Sequence, residues 1–245
     1  MLPDYPFATP PAAGETFAVA PGIHWLRMPL PFALNHINLW LLEDDDGWTI
    51  VDTGFALDTV KACWQTILSR LSASERGGRI VRIIVTHFHP DHLGLAAWLQ
   101  EQTGAPVCMT LGEYLTAHAV WHEIGGHGNQ PMLRQFRAHG LDVDRCAALE
   151  RRSGNYNRGV PSLPTHYQRL FGGDQVAIGG HRWQVRIGFG HSPEHAALYC
   201  AELGVLISGD MLLPKISTNV SVLAVTPLAD SLGDYLQSID RYREL

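Results

Sequence analysis

A β-branched run that leads straight into a group of ionisable side chains places the strongest constraint on the fold of this chain. Residues 79–85 predict a strand, residues 93–102 a helix and residues 106–109 a second short strand. Histidine and aspartate residues fill the interval between the first strand and the helix. This order of strand, polar loop, helix and strand is typical of a layered α/β fold with a site at a strand end.

The spacing of these ionisable residues favours metal binding. In an extended chain His87 and His89 point the same way, so the two side chains can share one metal ion. Pro90 changes the chain direction, and Asp91 and His92 then occupy the first turn of the next helix, where they can face a second ion. Single histidines are usually structural, but four ligand-type side chains within six residues are not a core pattern. Imidazole and carboxylate ligands suit zinc, or less selectively iron or manganese.

Hydrophobic periodicity and turn residues predict the remaining elements. Alternation over residues 17–28 around a Pro-Gly turn predicts a hairpin, and so do the apolar runs 37–43 and 48–51 around an acidic turn. Apolar residues at helical spacing predict helices over residues 58–71 and 229–245. Four further strands are predicted at 175–178, 182–187, 196–201 and 205–207.

Residues 112–170 interrupt the alternation of strands and helices. They contain three helical candidates, at 112–123, 130–139 and 142–151, and we interpret the segment as a helical insertion or cap. Its aromatic and basic residues could recognise an anionic or conjugated substrate, although a solvated helical surface explains them equally well. These residues are Tyr114, Trp121, Arg134, Arg151, Arg152, Tyr156, Arg158 and Tyr167.

Composition narrows the class of protein further. The net charge of -6 gives no electrostatic reason to expect a nucleic-acid partner. Four widely spaced cysteines without a Cys-x-x-Cys pair indicate free thiols in a reducing compartment. The N-terminus has no basic start followed by an apolar run, and no stretch approaches the roughly 20 apolar residues of a membrane span. We therefore expect a cytoplasmic protein.

Four motifs in order resemble the metallo-β-lactamase superfamily. The hallmark His-x-His-x-Asp-His is present as His87, His89, Asp91 and His92. Residues 38–42 and 50–54 look like the first strand pair and its Asp-Thr-Gly turn. Residues 190–195 and 208–210 are similar to the Gly-His-Thr and Ser/Thr-Gly-Asp segments. The resemblance implies an α/β fold, a four-layer αβ/βα sandwich forming one domain over residues 1–245, with 112–170 as the insertion.

The resemblance also implies roles for individual residues. His87, His89 and His191 would hold the first metal, Asp91 and His92 the second, and Asp210 would bridge the two. Asp52 matches a residue that supports the ligands from behind, although turn chemistry explains an aspartate there nearly as well. We expect His195 to pack against or orient the 190–195 loop rather than to bind metal.

One departure from the superfamily pattern concerns the second metal. Its members usually supply a further histidine some tens of residues after the bridging aspartate, and here no histidine follows His195. Two explanations stay open: the domain continues beyond Leu245, which we expect, or the second site lacks this ligand. In both cases Asp91, His92, Asp210 and solvent would give a weaker second site that can be partly occupied.

We predict a metal-dependent hydrolase that uses a metal-bound hydroxide on a small-molecule ester, thioester or lactone, with one or two zinc ions and with Asp91 as the catalytic carboxylate. Formation of a homo-oligomer stays open. The Gly-His-Ser-Pro motif at residues 190–193 leaves a phosphodiesterase or ribonuclease open as an alternative. An iron-dependent sulfur dioxygenase is another alternative, and a non-catalytic binding domain is the last.

Overall fold

Two β-sheets form the centre of the molecule in a computed structural model that describes residues 4–151 and 155–245. The first sheet has seven strands in chain order, of which β1 to β4 are antiparallel and β4 to β7 parallel. They are Thr16–Ala20 (β1), Ile23–Pro29 (β2), His36–Asp44 (β3), Gly47–Val51 (β4), Ile80–Ile84 (β5), Val107–Met109 (β6) and Gln168–Arg169 (β7). The second sheet is antiparallel in the order β11-β10-β9-β8. Its strands are Gln175–Ile178 (β8), His181–Gly188 (β9), His195–Cys200 (β10) and Val205–Ile207 (β11).

Eight α-helices accompany these sheets in the described residues. They are Asp58–Ser72 (α1), Pro90–Leu93 (α2), Ala96–Thr103 (α3), Leu111–Trp121 (α4), Asn129–Ala138 (α5), Val143–Glu150 (α6), Asn155–Gly159 (α7) and Ser231–Tyr242 (α8). A 3₁₀ turn at Gly209–Met211 follows β11. Within the described parts of the chain, no helix combines the length and the apolar character required to traverse a bilayer.

Alternating residues of the central strands enter different hydrophobic cores. In β5, Ile83 packs into the core that the first sheet shares with α1 and α3, and Ile84 packs into the core between the two sheets. In β10, Leu198 belongs to the core between the sheets, and Ala197 lies in a third cluster with α8. Because side chains alternate across a strand, this pattern requires a layer on each side of each sheet. The predicted αβ/βα sandwich of the metallo-β-lactamase type is confirmed.

The predicted strands are all present to within about two residues, but one predicted helix was wrong in its boundaries. The expected helix over 93–102 is split into α2 and α3 at Gly94. The amide of Leu95 donates to the Thr53 hydroxyl, 3.1 Å away, and not to a carbonyl one turn earlier. A Cβ at Gly94 would overlap the carbonyl oxygens of Gly54 and Gly159, so close packing of the backbone determines this break. The short elements α7 and β7 were not predicted, since each has too few residues to show a period.

We predict that Gly47→Ala destabilises the protein strongly, because the turn between β3 and β4 lies against the backbone. Gly47 has a φ of +148°, and an added Cβ would overlap the carbonyl oxygen of Arg79, which accepts from the amide of Trp48. Gly77→Ala is the matched control, since its φ is +77° and nothing lies within 4 Å of the added atom. The control should lose about 1–2 kcal/mol of unfolding free energy from backbone strain, and Gly47→Ala roughly 1–3 kcal/mol more. Equal losses in urea denaturation would contradict this reading.

Candidate metal centre

The ends of strands from both sheets meet at one group of histidine and aspartate side chains. The loop after β5 carries His87 and His89, the loop before β10 carries His191, and the 3₁₀ turn after β11 carries Asp210. The amide of Ala196 donates to the carbonyl oxygen of Thr86 at 2.9 Å and joins the two sheets beside the group. Ligand atoms of the four residues His87, His89, His191 and Asp210 all lie within 4.8 Å of one another. The structure therefore brings these four predicted ligands together.

Several ring nitrogens in this group face one another at close range. His87 Nε2 lies 2.9 Å from His89 Nδ1 and 3.1 Å from His191 Nε2. Asp210 Oδ2 lies 3.6 Å from His191 Nε2. At most one proton fits between each pair of nitrogens, so the remaining lone pairs have no donor to satisfy them. Imidazole nitrogens and a carboxylate at this range form a donor set that suits a divalent cation.

The other two predicted ligands lie beside this group. His92 Nε2 is 3.3 Å from Asp210 Oδ1 and 3.8 Å from Asp91 Oδ2. His92 is 1% exposed, and its Nε2 is one of the buried polar atoms without a hydrogen-bond partner in the described residues. An unpartnered buried nitrogen is costly unless it serves another purpose. Asp210 has one carboxylate oxygen near each set of residues, as a bridging residue requires.

Asp52 orients two of the histidines through hydrogen bonds on the side of each ring that faces away from the other ligands. Its Oδ2 accepts from His92 Nδ1 at 2.8 Å, and its oxygens accept from the amide and hydroxyl of Thr86. The Thr86 oxygen lies 3.0 Å from His87 Nδ1 and accepts its proton, because the hydroxyl hydrogen is committed to Asp52. Both histidines are therefore protonated at Nδ1, and their Nε2 atoms face the group. Outward hydrogen bonds of this kind fix the tautomer of a metal-ligating histidine.

Backbone groups orient the third histidine in the same way. His191 Nδ1 donates to the carbonyl oxygen of Asn219 at 2.8 Å, which leaves His191 Nε2 free. Thr218 donates its hydroxyl to the carbonyl oxygen of Asp210 at 2.6 Å and lies 2.9 Å from His191 Nδ1. The segment at residues 218–219 therefore holds two of the predicted ligands, and no sequence motif pointed to it.

The protonation states also suit a cation. Burial, followed by the neighbouring histidines, lowers the pKa of His87 well below its usual value, and burial lowers the pKa of His89 to about 3. These rings are neutral at pH 7, which is the form that binds metals. Although burial alone lowers the pKa of His92, the carboxylates of Asp210, Asp52 and Asp91 together raise it well above its usual value. A cluster with three carboxylates around one imidazole attracts positive charge, either a proton or a metal ion.

His195 lies inside the cluster and contacts the backbone that carries Asp210. Its ring is fully buried and stacks on His87 at 4.8 Å between centroids, and its Nε2 accepts from the Asp210 amide at 3.2 Å. A Cβ on Gly209 would lie 2.5 Å from that nitrogen, so only glycine permits this approach. His195 thus positions the Asp210 turn.

Glu113 is a buried residue at the site that the sequence analysis missed. It lies on α4 and is 0% exposed. Its Oε1 accepts from the Ser192 hydroxyl and the Glu194 amide, and its Oε2 accepts from the Phe88 amide, at 2.7 to 2.9 Å. Burial raises the pKa of Glu113 to about 7, although these hydrogen bonds lower it. The side chain joins the loop of His87 and His89 to the loop of His191.

A cleft opens beside the cluster. It has a volume of about 590 Å³, and His89 and His191 form part of its wall with α4, α5 and residues 219–226. The described members of the aromatic and basic set that could recognise a substrate do not line it: Tyr114, Trp121, Arg134, Arg151, Tyr156, Arg158 and Tyr167. Arg152 lies outside the described residues.

The aromatic members of that set support the fold instead. The Tyr114 ring stacks on the Tyr167 ring at 3.9 Å between centroids. Trp121 donates to the carbonyl oxygen of Val160, and the Tyr156 hydroxyl donates to the carbonyl oxygen of Phe88 at 2.8 Å. These side chains hold α4 and α7 against the β5 loop.

Comparison with known proteins supports the class that the fold and the site define, a metal-dependent hydrolase. A β-lactamase domain protein from Burkholderia ambifaria is 48% identical, with a TM-score of 0.86 over 98% of this chain and 68% of its own. The probable metallo-hydrolase YqjP from Bacillus subtilis is 24% identical over 90% of this chain and 67% of its own. A hydroxyacylglutathione hydrolase from Albidiferax ferrireducens is 26% identical over 76% of this chain, which spans about half (51%) of that enzyme.

The family model described as the metallo-beta-lactamase superfamily matches residues 34–245. The chain belongs to the metallo-β-lactamase superfamily, whose members use divalent metals, and it is a metallo-hydrolase. The residues of the cluster fit such an ion, because its donor set of imidazoles and carboxylates and the unpartnered His92 Nε2 match what a divalent cation requires.

We predict that Asp52→Asn weakens metal binding. The amide of asparagine offers one acceptor oxygen, so it cannot accept both from Thr86 and from His92 Nδ1, and the ring tautomers are no longer fixed. Loss of an outer hydrogen-bond partner costs about 10–100-fold in metal affinity. Competition for zinc against a chromophoric chelator measures the change. Asp58→Asn, at an exposed position in α1, is the control. Unchanged affinity in Asp52→Asn would remove Asp52 from this role.

We predict that Glu113→Gln lowers the stability of the ligand loops. Its amide nitrogen would face at least one of the three donors that Glu113 now accepts from. An unpaired buried donor costs about 1–3 kcal/mol, and the unfolding free energy should fall by about that amount. Glu101→Gln, at an exposed position in α3, should change stability by less than about 0.5 kcal/mol. Equal unfolding midpoints for the two variants in urea would argue against this function of Glu113.

Proposed function

We propose that the protein is a zinc-dependent hydrolase of carboxylic esters, thioesters or lactones. The observation that carries the proposal is the convergence of neutral imidazole nitrogens and one carboxylate at the mouth of a cleft. His87, His89 and His191 would hold the first ion together with Asp210, and Asp91 and His92 would hold a second ion together with Asp210. Nitrogen-rich ligation of the first ion favours zinc.

Hydrolysis of an acyl bond requires a nucleophile and a place for its proton. A divalent ion in such a site lowers the pKa of water to about 7 and polarises the oxygen that gains charge. In the proposed reaction, the oxygen of water attacks the acyl carbon, and the bond from that carbon to the leaving oxygen or sulfur breaks. Asp91, whose side chain is partly exposed at 22%, would accept the proton of the attacking water at a carboxylate oxygen. The same proton would then pass to the leaving group.

The shape and charge of the cleft support a small-molecule substrate over a nucleic acid. A concave volume of about 590 Å³ lies in the usual range for small ligands. The net charge of -6 opposes an approach by a phosphodiester backbone, so the ribonuclease alternative ranks second. The dioxygenase alternative requires iron and is separated from our proposal by the metal content. A cytoplasmic location stays a prediction, and homo-oligomer formation stays open.

We predict that removal of the metal abolishes the activity and that zinc restores it. Protein dialysed against a chelator should lose hydrolysis of p-nitrophenyl butyrate, and His191→Ala should lose it by about 10³-fold, because several kcal/mol of transition-state stabilisation disappear. His139→Ala, which changes an exposed histidine in the insertion, should keep both metal and activity. Elemental analysis of the purified protein measures the metal directly.

Three results would contradict the proposal. Activity that survives complete metal removal would exclude a metal mechanism. Iron as the main metal, with no ester hydrolysis after zinc loading, would favour the dioxygenase. Faster cleavage of bis(p-nitrophenyl) phosphate than of every carboxylic ester would favour the phosphodiesterase.

A further inference from the structure

The cleft beside the metal centre is mostly apolar. Its walls come from α4, from α5 and from residues 219–226, and the contributing side chains include Val120, Met132, Phe136, Phe189 and Leu223. Phe88, between two of the predicted metal ligands, continues this surface to the edge of the histidine cluster. An apolar chain attached to an acyl carbon at the cluster would therefore find a continuous apolar wall.

The charge of the lining is equally informative. No lysine or arginine lies among the described residues that line the cleft. Apart from the clustered histidines, its ionisable members are His127 and Asp234, and burial lowers the pKa of His127, which keeps that ring neutral at pH 7. Outside the metal cluster, Asp234 is the one carboxylate among the described lining residues. Away from the metal cluster, an anionic substituent in the cleft would meet Asp234 and would find no lysine or arginine among the described lining residues to pair with.

Specific contacts hold the walls of the cleft together. Gln135 in α5 donates to the carbonyl oxygen of Val222 at 2.8 Å. A Cβ on Gly126 would lie 3.0 Å from Val225 Cγ1, so the loop before α5 packs directly on the opposite wall. These contacts tie the insertion to the segment that also orients His191. The walls of the cleft are therefore held in place by specific contacts, and one of them is continuous with the segment that orients His191.

We propose that this cleft binds a neutral, apolar acyl chain of the substrate, an inference that rests on the proposed function. The hydrolase would then prefer medium-chain acyl esters or thioesters to short ones. It would discriminate against acyl groups that carry a terminal carboxylate.

A matched series of esters tests this preference on the zinc-loaded protein. Across the p-nitrophenyl esters from acetate to hexanoate, we expect kcat/KM to rise by about threefold per added CH₂, on the order of 10²-fold in total. The p-nitrophenyl monoester of succinic acid has the chain length of the butyrate ester and adds a carboxylate. We expect its kcat/KM to lie at least about tenfold below that of the butyrate.

Substitutions in the lining test whether the preference for longer, uncharged acyl chains arises in the cleft. Val120→Trp should reduce kcat/KM for the hexanoate more than for the acetate, because the indole fills the space of the chain. Leu115→Trp, on the same helix but 55% exposed and outside the cleft, is the control and should leave the ratio unchanged. Phe136→Arg should raise the ratio of succinate to butyrate turnover, because it supplies the missing cation.

Binding to the metal-free protein gives a readout that does not depend on turnover. Nile red, a neutral apolar dye, should gain fluorescence in the cleft and lose it when 2-octanone is added. Val120→Trp should weaken dye binding, and Leu115→Trp should not. The inference is overturned if Val120→Trp does not change dye binding. It is also overturned if kcat/KM depends neither on chain length nor on terminal charge, while ester hydrolysis itself still stands. Absence of any acyl hydrolysis by the zinc-loaded protein, with dye binding still dependent on Val120, overturns the proposed function instead.

Discussion

The buried carboxylate of Asp52 is the constraint on which the rest of the site depends. It is 2% exposed and sits at a φ of +63°, a conformation that residues other than glycine rarely adopt. A buried charge in a strained backbone persists only where its partners compensate for both costs. Here the partners are Thr86 and His92, which between them donate from an amide, a hydroxyl and a ring nitrogen. The same interactions that stabilise Asp52 therefore determine which nitrogen of each histidine faces the metal centre.

The layered fold supplies the geometry that makes this possible. Strand β5 contributes residues to two cores, so its C-terminal end lies between the sheets, where the loops of the second sheet can reach it. The amide of Asp52 donates to the carbonyl oxygen of Ile84, and the Thr53 hydroxyl donates to the carbonyl oxygen of His92. The turn after β4 is thus bonded to both ends of the histidine loop. A shift of either sheet would move ligands of both predicted ions at once, since Asp210 is a predicted ligand of both.

Charge is distributed unevenly between the two functional surfaces. Carboxylates concentrate at the cluster, where Asp52, Asp91 and Asp210 all act on His92. Glu113 accepts three hydrogen bonds from the ligand loops, a short distance along the chain from the cleft residues of α4. Among the residues that the structure describes, the lining of the cleft has one carboxylate, Asp234, and is mostly apolar. The cluster is accordingly suited to a cation, and the adjacent cleft is suited to the neutral acyl chain that we propose.

Local patterns in the sequence were enough to predict most of the elements and the first residues of the candidate metal centre. The β-branched run, the turn residues and the spacing of His87 and His89 act over a few residues, where strand and helix periods govern which side chains share a face. Superfamily motifs then placed His191, Asp210 and Asp52 in the same site.

Only the tertiary structure decided the features that depend on contacts between distant segments. Glu113 looked like an ordinary acidic residue in the first turn of a helix, although its position on the buried stripe with Thr116 and Ala117 was a faint signal. The break at Gly94 and the composition of the cleft wall likewise depend on backbone packing and on which helix faces meet. Sequence periodicity reports which face of an element is buried, but not what that face is buried against, because the partner comes from another part of the chain.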